Sequence, residues 1–147
     1  MEAQMVKSET ALEMKRVFQA PVERVYQAWT KPEMMSQWYF PGPGMHAHCT
    51  VDLRIGGSYE VQMHGQEGDP YVARGVYKEI IPNEKLSFTW SWTNEEHVSL
   101  VTLIFRSINP SETELILKHD QFMGDEDRDS HAEGWVGTID QLTAFLA

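Results

Sequence analysis

The stretch Ser130–Ala147 reads SHAEGWVGTIDQLTAFLA, and within it Trp135, Ile139, Leu142 and Leu146 fall at i, i+4, i+7 and i+11. That spacing lines them along one side of a helix, with Ala132, Val136 and Thr143 beside them, so the segment is a helix that must bury one face. Ser130 and Glu133 have the spacing of a capping box, in which the hydroxyl accepts from a first-turn N–H while the glutamate reaches back. The acidic run Asp125 to Asp129 also suits the positive end of a helix dipole, so the start falls between Asp125 and Ser130. Nearly everything from Thr50 to His119 alternates as strands do. One long helix laid across one antiparallel sheet is the economical reading.

Upstream, residues Met1 to Glu9 are polar and are expected to be frayed and flexible. Leu12, Met14, Arg16 and Phe18 then alternate with Glu13, Lys15, Val17 and Gln19 as a first strand. Pro21 ends it and opens a short helix whose apolar side is Val22, Val25, Tyr26 and Trp29. A second short helix opens at Pro32, carries Met34, Met35 and Trp38, and closes in Tyr39-Phe40-Pro41-Gly42-Pro43-Gly44. From Met45 to Ile55 the period is two, with Met45, Ala47, Cys49, Val51, Leu53 and Ile55 on one face, and Gly56-Gly57 turns the chain. Tyr59, Val61 and Met63 continue the pattern, Tyr71 to Ile81 forms the next strand, and Leu86, Phe88, Trp90 and Trp92 make a strongly aromatic face. Val98 to Phe105 is apolar on both parities, leaving its faces open, and Leu115, Leu117 and His119 share one face of the last strand. Short turns between successive strands favour antiparallel pairing, and a sheet with one apolar face needs the helix as its cover. The expected class is α+β, a curved antiparallel sheet of six to seven strands wrapped around the C-terminal helix, with two short helices after the first strand.

A chain of 147 residues buries roughly 70% of its unfolded surface, which suits one self-sufficient domain over 1–147. The net charge of -10 repels phosphate backbones and anionic bilayers, so nucleic acid is not an expected partner. Cys49 is the single cysteine, set among apolar neighbours, and is read as a buried structural thiol in a reducing compartment. No window approaches the roughly 18 apolar residues of a membrane span, and a soluble, cytoplasmic protein is expected.

The segments Ala20-Pro21-Val22-Glu23-Arg24-Val25-Tyr26-Gln27-Ala28-Trp29-Thr30, Trp38 with Gly42-Pro43-Gly44, Val51-Asp52-Leu53-Arg54-Ile55-Gly56-Gly57, Gly75-Val76-Tyr77-Lys78-Glu79, Glu84-Lys85-Leu86-Ser87-Phe88-Thr89-Trp90, and His131 with Gly134-Trp135 occur in an order that is more specific than any one of them. Together they resemble the bacterial single-domain relatives of the C-terminal domain of the activator of heat-shock-protein-90 ATPase, in the START-like (SRPBCC) superfamily, and the resemblance runs from about Lys15 to Leu146. It implies the helix-grip fold, in which the curved sheet wraps the long helix and often leaves a deep apolar cavity. It does not fix the function, because the superfamily includes lipid carriers, hormone receptors, polyketide cyclases and co-chaperone domains.

Tyr59, Met63, Tyr77, Trp90, Trp92, His119, Phe122, His131 and Trp135 are the candidates for the wall of such a cavity, combining apolar area with isolated polar tips. The same composition fills a closed core; Trp90 and Trp92, bulky and adjacent on one face, are the best candidates for ligand contact. His119 points inward near a strand end, as an acid, a base or a core histidine bonded to a backbone carbonyl, and His131 lies four residues before Trp135 in the first turns of the helix. Gly134 and Gly137 each cost about 1 kcal/mol relative to alanine inside a helix, so something comes close there, either a strand or a ligand. His46 and His48 share a polar strand face with no carboxylate partner fixed by spacing, and no metal site is expected. No nucleophile elbow, phosphate loop, dinucleotide fingerprint or zinc-protease helix is present, so no cofactor and no catalytic residue is assigned. The leading expectation is a domain holding an apolar or aromatic small molecule between sheet and helix. Its alternatives are a co-chaperone-like interaction domain with a chaperone partner, and a cyclase or hydrolase of a cyclic apolar substrate in which His119 or Tyr77 handles a proton. A homodimer that closes an apolar cavity mouth is a further expected assembly.

Overall fold

The alternation beginning at Leu12 yields a strand with one buried face, β2 (Leu12–Phe18), in which every second residue from Leu12 to Phe18 is buried. In the computed structural model, which describes residues 4–147, pairing begins before it. β1 (Gln4–Lys7) lies antiparallel to β2 with Met5 opposite Met14. Of the N-terminal residues expected to be frayed, 1–3 lie outside the described residues, while Gln4–Lys7 hydrogen-bond into the sheet because Met5 packs against the core.

Two helices follow, α1 (Val22–Thr30) and α2 (Pro32–Met35). Lys31, held extended ahead of Pro32, separates them. Then come β3 (His46–Val51), β4 (Ser58–His64), β5 (Tyr71–Ile81), β6 (Lys85–Trp92), β7 (Ser99–Asn109), β8 (Glu112–Asp120) and the long helix α3 (Asp125–Leu146). The strands form one antiparallel sheet in the order β1-β2-β8-β7-β6-β5-β4-β3, eight strands where six to seven were expected, β1 being the addition. β3 to β8 are a sequential meander, and β2 joins at β8, so the chain must cross the width of the sheet between β2 and β3. α1 and α2 make that crossing, α1 packed on β7 and β8 and α2 on β3. The architecture is the α+β helix grip.

Three local expectations are corrected. The strand read as Met45 to Ile55 ends at Val51: Asp52 N–H still reaches Ser58 O, but Gly57 N–H bonds Arg54 O and Gly56 takes φ +82°, a left-handed turn that suits glycine. Leu53 and Ile55 therefore leave the sheet and are exposed. The Ser130–Glu133 capping box is not used, since α3 begins at Asp125 with Gly124 ahead of it, and three acidic residues in the first turn face the positive end of the dipole. Val136 stands 40% exposed, off the apolar stripe. The faces of β7, which the sequence left open, are decided by register: Val101 and Leu103 lie opposite Phe88 and Leu86, and Ser99, Val101, Leu103 and Phe105 are buried. Register shifts at Tyr77/Glu79 and Ser107/Asn109 add twist, which helps the sheet curl around the helix.

Trp135, Ile139, Leu142 and Leu146 are buried as the stripe requires. The second half of α3 is held over β2 by Arg16, a buried guanidinium whose Nη1 donates to Asp140 Oδ1 at 2.8 Å and Thr143 Oγ1 at 2.9 Å. Cys49 is buried, and burial pushes its thiol up to about 11, consistent with an inert structural role.

Candidate functional site

The curled sheet and α3 converge tightly at the Arg16 end and diverge at the other, where they enclose a cavity of about 480 Å³. β6 supplies Trp90 and Trp92 to its wall, β4 supplies Met63, and the first half of α3 supplies His131, Gly134 and Trp135. The connection after α2 closes one side with Tyr39 and Pro41, and the rim is built from Asp69–Val72 and Thr93–Glu95. These two rim segments are tied together, Thr93 N–H donating to Val72 O at 3.0 Å. A larger groove, about 890 Å³, runs over the opposite sheet face, but it is more open and its lining is largely polar, including Thr50, Ser58, Glu60, Arg74 and Ser91. The more sheltered, aromatic cavity is the better site for a guest.

The two glycines of α3 separate here. A Cβ on Gly137 would run into the Pro41 carbonyl oxygen, with the Pro41 carbonyl carbon at 2.9 Å and Cα at 3.3 Å. A Cβ on Gly134 would meet nothing within 4 Å. Gly137 thus permits the close passage of the loop after α2, whereas Gly134 leaves bare backbone facing the cavity.

Polar groups fix the aromatic wall. Trp92 Nε1–H donates to His131 Nε2 at 3.1 Å, so His131 carries its proton on Nδ1, which donates to Asp127 O at 2.8 Å. Trp135 Nε1–H donates to His119 Nδ1 at 2.9 Å, and His119 Nε2–H donates to Ser99 Oγ at 2.7 Å, whose own hydrogen goes to Trp90 O at 3.2 Å. Each histidine accepts from a tryptophan through one nitrogen and is itself anchored through the other. Burial, with smaller contributions from His131 and His97, holds His119 well below the usual imidazole range, and it is neutral. Phe122 packs against both imidazoles, 4.3 Å from the ring of His119 and 5.0 Å from that of His131, which are themselves 5.1 Å apart. Among the described residues, the Trp90 Nε1 and Tyr39 hydroxyl donors are buried without a partner.

The family model described as activator of Hsp90 ATPase homolog 1-like protein matches residues 19–147. The chain belongs to that family. Solved structures of similar proteins share its architecture. A protein from Rhodobacter sphaeroides superposes with a TM-score of 0.85 at 25% identity, over 99% of this chain and 98% of its own. A Nitrosomonas europaea protein gives 0.80 at 26% identity over 96% of each chain. The AHSA1 protein of Silicibacter pomeroyi gives 0.79 at 26%, over 91% of this chain and 95% of its own. No protein of curated function matches the sequence.

Within this helix-grip member, five of the nine sequence-predicted wall residues line the cavity: Met63, Trp90, Trp92, His131 and Trp135. His119 and Phe122 stand behind the wall as its supports. Tyr59 and Tyr77 face a different void of about 10 Å³, with Trp29, Met35, Tyr39 and Phe88, at the lower limit for one water. Tyr59 is turned there because its hydroxyl donates to Thr89 O at 2.5 Å, across Gly75, where a Cβ would collide with the Thr89 backbone. Sequence reasoning missed Tyr39, Pro41 and the rim, all in connections whose course the strand and helix periodicities do not describe. Gly134 was signalled by its cost inside a helix. Among the described residues no cluster of three or more metal-binding side chains occurs, and no helix is long and apolar enough to cross a membrane. His46 and His64 do stack across β3 and β4 with ring centroids 4.8 Å apart.

Proposed function

We propose that the protein binds an apolar, largely aromatic small molecule in the cavity between β4–β6 and the first half of α3. The observation that carries this reading is the cavity itself, about 480 Å³, walled by Trp90, Trp92, Trp135 and Met63, at the place where α3 presents the backbone of Gly134. Its size lies within the range that small-molecule sites occupy, and a wall pinned by indole–imidazole hydrogen bonds is formed before any guest arrives. Burying one aromatic side-chain equivalent, 150–250 Å², contributes roughly 4–6 kcal/mol before association costs. A single ring therefore reaches only weak affinity, so a physiological guest needs two or more rings or added polar contacts.

The alternative readings lack a comparable observation. Catalysis through His119 or Tyr77 finds no support, since neither lines the cavity, His119 has both nitrogens engaged, and burial raises the Tyr77 hydroxyl above its usual range. A chaperone partner rests on the family description alone. The deciding experiment is native mass spectrometry of the chain purified gently from its own source, beside the variant Gly134→Leu, whose side chain would occupy the cavity. The expected result is a small-molecule adduct on the wild type that is lost from the variant. An adduct equally abundant on both puts the ligand elsewhere and ends the proposal. Bare wild-type protein that no apolar aromatic compound stabilises against heat ends it as well.

A further inference from the structure

The charge on the cavity rim is one-sided. Asp69 and Glu95 both stand on it, exposed, and no lysine or arginine is among the lining residues. Among the described residues neither carboxylate is within ion-pair distance of a basic group, the bridges of the lysines and arginines being made elsewhere by Lys7, Arg16, Arg54, Lys85, Arg106, Lys118 and Arg128. The single imidazole on the wall, His131, accepts from Trp92 through Nε2 and so turns no N–H toward the cavity from that atom. An anionic guest would find no positive charge to meet it, and the whole chain adds a net charge of -10 to the repulsion. Beside the two carboxylates, Tyr71 is 67% exposed and lies edge-on to Trp92 with ring centroids 6.5 Å apart. Two aromatic faces and two free carboxylates around one opening have the chemistry that receives a cation.

We infer that the cavity takes an aromatic cation, a protonated aryl-alkyl amine or a quaternary ammonium compound, with its rings against Trp90, Trp92 and Trp135 and its charged nitrogen at the rim formed by Asp69–Tyr71 and Thr93–Glu95. This deepens the binding proposal and rests on it. Because the carboxylates are exposed, the charge preference is modest: exposed ion-pair and cation–π contributions together give the amine about a fivefold to tenfold advantage over a neutral molecule of the same shape. A carboxylate of that shape binds more weakly than the neutral one.

The test is titration of the full chain with three matched probes, naphthylethylamine, naphthylethanol and naphthylpropionate. The indole N–H resonances of Trp90, Trp92 and Trp135, the three tryptophans that line the cavity, report binding. The expected order of affinity is amine, alcohol, carboxylate, with the gap narrowing as salt is raised. In the double variant Asp69→Asn/Glu95→Gln, both changes being on exposed side chains, the amine-to-alcohol ratio falls to about one. Equal affinities, or a carboxylate that binds tightest, overturn the charge inference while leaving the cavity as the site. An unchanged ratio in the double variant overturns the placement at the rim. Failure of all three probes to move the Trp90, Trp92 and Trp135 resonances overturns the cavity reading and this inference with it.

Discussion

Replacing Gly134 and Gly137 separately with alanine asks the same helix two opposite questions. Alanine is better than glycine inside a helix by about 1 kcal/mol, so both substitutions begin with the same gain. At Gly134 the new Cβ meets nothing within 4 Å, and the gain of about 0.5–1 kcal/mol is kept. At Gly137 the Cβ collides with the Pro41 carbonyl, part of a backbone segment held by Tyr39 and Phe40, both of which are buried. Forcing that segment outward costs about 1–3 kcal/mol as overpacking does elsewhere, leaving a net loss of up to about 2 kcal/mol. The two variants then differ by about 1–3 kcal/mol, the cost of the clash, although they are three residues apart. At roughly 3 °C per kcal/mol for a chain of this size, their melting temperatures separate by about 3–9 °C, with the wild type between them. Differential scanning calorimetry with urea midpoints reads this directly. If the two variants shift together in the same direction, the contrast drawn between a close loop contact and an open cavity at these glycines is wrong. If Gly134→Ala proves destabilising, something other than cavity space is close to the helix at that point. A stabilised Gly134→Ala would also mean that the glycine stands against the preference of the fold, as expected where a ligand needs the room.

Two further outcomes follow from buried polar groups. His119 is fully buried and neutral with its pKa held well below the usual value, so the unfolded chain binds a proton near pH 6.5 that the folded chain refuses; stability contributed by this site is present above about pH 6.5 and falls by about 1.4 kcal/mol per unit as pH drops below it. Urea midpoints at pH 7 and pH 5 for wild type and His119→Asn test this, and a stability difference between the two that does not change with pH contradicts the assignment. Arg16 is buried while its partner Asp140 is 58% exposed, so Asp140→Ala leaves a buried guanidinium with Thr143 alone and costs about 1–3 kcal/mol. Arg16→Met keeps the packing volume, releases Asp140 to water and costs less than about 1 kcal/mol; the reverse order of the two costs would refute the desolvation argument.

Much of this molecule follows from periodicity. The spacing of Trp135, Ile139, Leu142 and Leu146 is a local consequence of 3.6 residues per turn, and the alternation in β2, β4 and β6 of two residues per pleat, so the helix, the strands and their buried faces are readable residue by residue. The same patterns place Trp90, Trp92 and Trp135 on inner faces. What they leave out is how those faces meet. Val98 to Phe105 is apolar on both parities, and only hydrogen-bonding register with β6 and β8 turns Val101 and Leu103 inward. β1 has the composition of a frayed end and becomes a strand because β2 offers it an edge. Tyr59 and Trp90 are both inward by alternation, yet the Thr89 carbonyl draws one to a small void of about 10 Å³ while the other walls the cavity. His119 carries the composition of a catalytic group, and its partners Trp135 and Ser99 come from two other elements of the chain. The cavity belongs to tertiary structure for the same reason. It is the space left where α3, the loop through Pro41 and the rim segments fail to touch, and a gap between elements distant in sequence has no period along the chain.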